Sequence, residues 1–166
     1  MRTTLIMSVM STLLFFSHSV LAISPPAEEP ILWVSGNISQ SNSPRGVELD
    51  EAMIFGLEQG TIHTSNHVVA EVVEYKGPTL ASLLEYVGAK GKQVQVIAWD
   101  DYVVTISLED IKKYGILLAT HEAGVRMTID DKGPLFVVLP FTEHAELRND
   151  FYYSLSVWQV REIVVE

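Results

Sequence analysis

Apolar and polar residues alternate through two stretches of the chain, ILWVSG (Ile31–Gly36) and SVWQVREIVVE (Ser156–Glu166). A period of two is what a strand with one buried face requires, so both are predicted strands. Between them the period switches repeatedly. NISQSNSPRGVELD (residues 37–50) is polar turn material. LDEAMIFGLEQG (Leu49–Gly60) sets Met53, Ile54 and Leu57 at helical spacing behind Asp50 and Glu51 and stops at Gly60, which predicts a short helix. TIHTSNHVVAEVVEY (Thr61–Tyr75) is β-branched and extended, with a polar interruption from His63 to His67. GPTLASLLEYVGAKG (Gly77–Gly91) places Leu80, Leu83, Leu84 and Val87 on one face after a Thr79 N-cap, the most regular helix in the chain. VQVIAWDDYVVTISLED (Val94–Asp110) reads as two strands around Trp99, Asp100, Asp101 and Tyr102. SLEDIKKYG (Ser107–Gly115) opens with a Ser-x-x-Asp cap and ends in lysines, where the helix dipole favours cations. ILLAT and VRMTID are short strands around the turn at Glu122–Gly124, and GPLFVVLP (Gly133–Pro140) is a continuous apolar run that reads as a buried strand.

Strands in pairs and threes with three short helices inserted predict an α+β domain with a mixed, mostly antiparallel sheet, not a doubly wound fold. Residues 1–22 carry Arg2 ahead of a short apolar run broken by serines and end in Val20-Leu21-Ala22, the pattern of a cleavable secretory signal. Export, with cleavage after Ala22, is the expectation. ISPPAEEP (residues 23–30) is proline-rich and reads as a linker, and residues 31–166 as the folded domain. Removing the signal leaves 166 − 22 = 144 residues, one domain's worth. No cysteine is present, so disulfides, lipid attachment, Cys-ligated metal and thiolate nucleophiles are excluded. With 21 acids against 11 basic residues the formal charge is −10, which disfavours nucleic acid and anionic membrane surfaces as partners.

The order GPTLASLLEYVGAKG, AWDDYVVTISLEDIKKYGILLAT, EAGVRM, KGPLFVVLP, SVWQVREIVV resembles, across Ile31–Val165, the molybdopterin-binding domain of the sulfite oxidase family. The resemblance implies a sulfite-oxidase-like α+β fold built around a pterin cofactor. In catalytic members a cysteine thiolate ligates molybdenum; here the corresponding position falls on Thr64 or Ser65, whose hydroxyls are hard, poorly ionised ligands. The scarcity of basic residues also makes a poor cage for an oxyanion substrate. The chain is similar to small exported members that bind a simple pterin without molybdenum and report it to the periplasmic domain of an inner-membrane signalling protein, including regulators of cyclic-di-GMP. A molybdopterin-dependent oxidoreductase is the alternative, and a structural interaction domain without ligand a third.

A pterin presents two adjacent N–H donors that one carboxylate can accept together, and flat faces that aromatic rings can cover. Asp101 or Asp100 is the expected edge acceptor, Asp101 being favoured because an acid–tyrosine pair matches the family, and Tyr102 or Trp99 the ring wall. On an alternating strand only one of the aspartates faces the pocket. The competing account makes Asp100–Asp101 a solvated hairpin turn with both rings buried. Thr64, Ser65, Asn66 and His67 lie where the family's cofactor loop runs, and Trp158 matches a family aromatic position that core packing also explains. His63 and His67 lack a third ligand and do not make a metal pair. Glu122 and Arg126 flank a glycine turn and read as a surface ion pair; FTEHAELRNDFYYS (Phe141–Ser154) reads as an aromatic partner surface or lid, or as a loop tucked against the sheet.

Overall fold

The computed structural model describes residues 23–166; the signal reading of residues 1–22 lies outside the described residues. Five strands form the largest sheet, in the order β2 (Val47–Leu49), β1 (Leu32–Gly36), β11 (Val160–Val165), β5 (Gln93–Ala98), β6 (Val103–Ser107). Only β1 and β11 run parallel; the other pairings are antiparallel. The alternation seen in sequence becomes two faces: Leu32, Val34, Val94, Val96, Val104 and Ile106 point into the core, while Trp33, Ser35, Gln95 and Thr105 point away. Three helices pack on the inner side. These are α1 (Glu51–Gly56), α2 (Leu80–Tyr86) and α3 (Leu108–Tyr114), and Ile54, Leu80, Leu83 and Ile111 join the sheet's residues in one cluster.

Each helix starts where a side chain can take an orphan backbone N–H. Asp50 accepts from Met53, Thr79 from Ser82 and Ser107 from Asp110. Asp50 does more: its second oxygen accepts from the N–H groups of Ala27 and Glu28. The stretch expected to be a free linker is therefore laid against the domain, with Ile23 buried and the Ser24 carbonyl accepting from Asn42. The backbone bonds from Met53, and then from Glu28, hold the Asp50 carboxyl below its ordinary range.

A four-stranded antiparallel sheet, β3 (Gln59–Thr64), β4 (Val73–Pro78), β8 (His121–Glu122) and β9 (Val125–Arg126), lies beside a two-stranded one, β7 (Leu117–Ala119) with β10 (Phe136–Val138). The β7–β10 pair stands between two cores. Leu118, Leu135, Val137 and Leu139 face the main cluster, while Leu117, Ala119, Phe136 and Val138 face a second one with Tyr75 and Met127. A strand buried on both sides has no polar face, which is why GPLFVVLP lacks alternation. Gly77 of β4 crosses here so closely that a Cβ would sit 2.4 Å from the Leu118 carbonyl oxygen. The segment Phe141–Ser154 holds a 3-10 turn (Ala145–Leu147) and α4 (Asp150–Ser154); Phe141 is buried, Tyr152 and Tyr153 are half-buried, and Phe151 is exposed. Among the described residues no helix is long and apolar enough to cross a membrane.

Candidate functional site

The β5–β6 hairpin turns at Trp99–Asp100–Asp101, with the Asp101 N–H donating to the Ala98 carbonyl (3.2 Å) and the Ala98 N–H to the Tyr102 carbonyl (3.0 Å). Asp101 takes the left-handed conformation (φ 65°) that lets so short a turn close. This geometry, not strand alternation, sends the two carboxylates to different sides. Asp101, favoured from sequence as the edge acceptor, bonds the Arg161 guanidinium at 2.9 Å with its side chain 82% exposed to solvent. Asp100 accepts from the Tyr102 N–H (3.0 Å) and lines a cleft of about 280 Å³ with His67, Tyr102, Tyr153, Ser156 and Trp158.

The rings of that cleft come from distant parts of the chain. Tyr102 is anchored through its hydroxyl, which donates to the Ser154 carbonyl at the end of α4 (3.0 Å). His67 packs on Tyr153 with centroids 5.1 Å apart, and Tyr153 in turn packs on Phe141 at 4.9 Å. Trp158, 39% exposed, meets the edge of Phe136 at 6.2 Å and carries the Lys132 ammonium 5.8 Å from its ring centroid. It is a cleft wall as well as a packing residue. Lys132 is fixed by Glu122 (2.7 Å) and Asp131 (3.1 Å). Burial alone would lower the Lys132 pKa, but these two carboxylates outweigh it and raise it. Glu122 also accepts from the Tyr75 hydroxyl (2.8 Å), and burial together with that carboxylate pushes the phenol well above its usual range.

One buried polar atom has no hydrogen-bond partner among the described residues, the Ser156 hydroxyl, and Ser156 lines this cleft. A buried hydroxyl left unpaired costs on the order of 1–3 kcal/mol. Beside it Gln159 adopts φ 50°, a strained backbone for a non-glycine residue, and its amide donates to the carbonyls of Ile129 (2.6 Å) and Asp131 (3.0 Å). Strain held in place by neighbouring bonds is commonest at functional sites.

Thr64 does not line the cleft. It is buried, its hydroxyl donates to the Ser65 carbonyl (2.8 Å) and accepts from the Thr142 N–H (3.2 Å), and the Ser65 N–H donates to the Thr142 hydroxyl (3.0 Å). These residues clip the loop after β3 to the segment after β10. Trp99 also stands outside, 48% exposed, edge-on to Trp33 at 6.1 Å with the Arg161 guanidinium over its ring. Glu122 and Arg126 do not pair with each other: Arg126 is bound to Glu51 and donates to the carbonyls of Thr120, Met127 and Pro134. His63 pairs with Glu74 at 3.3 Å on β3–β4, and no group of three or more metal-ligating side chains occurs among the described residues. Sequence reasoning missed Ser156 and Gln159, which lie in the SVWQVREIVV stretch beside Trp158 without being singled out, and Tyr153, which it placed only in an aromatic loop. No family model matches the chain, and no curated protein matches it.

Proposed function

We propose that the protein binds a planar heterocycle of the pterin type in the Asp100 cleft, without molybdenum and without catalysis, and presents it to a signalling partner at the inner membrane after export. The observation that carries this reading is the convergence of one carboxylate and four aromatic side chains on a single small cleft. Asp100 would take the two N–H donors of the ring edge; Tyr102, Trp158 and the His67–Tyr153 pair would cover the faces. A cleft of about 280 Å³ suits a two-ring compound; pockets for larger ligands run to roughly 1,000 Å³. Against metal ligation at the position matching the family's cysteine, the Thr64 hydroxyl is buried, donating to the Ser65 carbonyl and accepting from the Thr142 N–H.

Titration with pterin, followed by the ligand's fluorescence anisotropy, tests this. A hydrogen bond to a charged group contributes about 1.5–3 kcal/mol, so Asp100→Ala is expected to weaken binding by roughly tenfold to a hundredfold. Asp101→Ala should leave it unchanged. Equal affinity in the wild type and Asp100→Ala would remove the site, and failure of the wild type to bind any pterin would remove the function.

A further inference from the structure

Across the β5–β6 turn from the proposed heterocycle site lies a second, larger cleft of about 740 Å³. The two share Asp100 and Gln159 as a common rim. Their chemistry differs sharply. Where the first is polar and aromatic, the second is walled by Trp99, Ile31, Ile129, Pro30 and Pro134, and its charged lining is anionic, Glu29 and Asp100. Gln159 has no free amide hydrogen-bond donor to spare for a ligand there, because its nitrogen is engaged by the Ile129 and Asp131 carbonyls. Trp99 and Ile129, both about half exposed, are large apolar side chains left open to water on neighbouring walls of one cleft.

The rim is rigid. The Trp99 N–H donates to the Gln159 carbonyl (3.1 Å), the Gln159 N–H to the Lys132 carbonyl (2.8 Å), and Gln159 and Asp101 are both held at positive φ. Hairpin turn, 129–134 loop and the start of β11 are thus locked together before any ligand arrives, the condition under which contacts translate into affinity.

We propose that the ligand is a heterocycle bearing an apolar arm, an aryl or short alkyl substituent that passes over the Asp100–Gln159 rim and packs on Trp99 and Ile129. This rests on the heterocycle reading of the first cleft and extends it. The shared rim argues for one two-part ligand over an unrelated occupant. The carboxylates of Glu29 and Asp100 select against an anionic arm, since among the described residues no cation lines the cleft and the Arg161 guanidinium over the Trp99 ring is paired with Asp101. Trp99, expected from sequence to cover the heterocycle, covers the arm instead.

The test compares pterin, 6-phenylpterin and pterin-6-carboxylate by fluorescence anisotropy on the wild type and on Ile129→Glu, with circular dichroism to verify folding. Each buried methylene contributes about fourfold in affinity, so the phenyl arm should tighten binding by more than tenfold over pterin, and the carboxylate should not. Ile129→Glu should abolish the phenyl gain and leave plain pterin within twofold. Ile129 is half exposed, so its replacement leaves the core intact; Ile129→Ser repeats the measurement without added charge. If pterin binds and the phenyl arm adds nothing, or the gain survives both substitutions, the arm cleft is overturned while the heterocycle site stands. If none of the three binds, the heterocycle reading falls and this proposal with it.

Discussion

Asp101 and Gln159 share a left-handed backbone but spend their side chains differently, and the difference is measurable. Asp101 reaches into solvent toward Arg161. An exposed ion pair contributes about 0–1 kcal/mol, and its loss together with glycine's extra unfolded-state entropy of about 0.5–1 kcal/mol offsets the roughly 1 kcal/mol of strain that glycine relieves at positive φ. Asp101→Gly should therefore leave urea stability within about 0.5 kcal/mol of wild type. Gln159→Gly relieves the same strain but frees the Ile129 and Asp131 carbonyls. A net loss of about 1–2 kcal/mol is expected, with weaker binding in the adjacent cleft. Thr64→Val keeps the shape of a buried side chain and strands the Thr142 N–H, so about 1–3 kcal/mol should be lost in the same assay.

The helices test local chemistry. Thr79→Ala removes the cap of α2 and should cost about 1 kcal/mol in thermal or urea unfolding. Asp50 ties α1 and the 27–28 backbone to one carboxylate whose folded pKa is depressed. A depressed carboxyl stabilises the fold above its unfolded pKa and loses that effect as pH falls toward its folded value, so the loss should appear below about pH 4. Stability of Asp50→Asn, measured from pH 6 to pH 2, should fall less steeply than wild type. These caps were legible in the sequence because capping acts within four residues. Strand β2 was not, since Val47 and Leu49 are two apolar residues in a polar stretch and only pairing with β1 makes them a strand. The docking of residues 23–28 was hidden for the same reason: its carboxylate partner is more than 20 positions away. At the site, the acid–aromatic cluster was legible from its composition. Which aspartate faced the cleft was not, because a left-handed Asp101 breaks the period-two rule that strand reasoning applies. Ser156, Tyr153 and Gln159 meet Asp100 only through the tertiary fold.

For the molecule as a whole, the joint between sheets at Gly77 sets how closely the two cores can lie. Gly77→Ala would drive a methyl group into the Leu118–Ala119 backbone. Overpacking of this kind costs about 1–3 kcal/mol, and because backbone has to move, the upper end is expected in chemical denaturation.

Strand β11 occupies the middle of the largest sheet, between β1 and β5, and Glu162 sits opposite Trp33, 162 − 33 = 129 positions later. A ribosome adding about 5–20 residues per second needs on the order of ten seconds to cover that interval. Throughout it β1, and from residue 98 onward β5, offers a bare hydrogen-bonding edge with its final neighbour still unmade. The slot between those edges invites capture of the same strand from another copy.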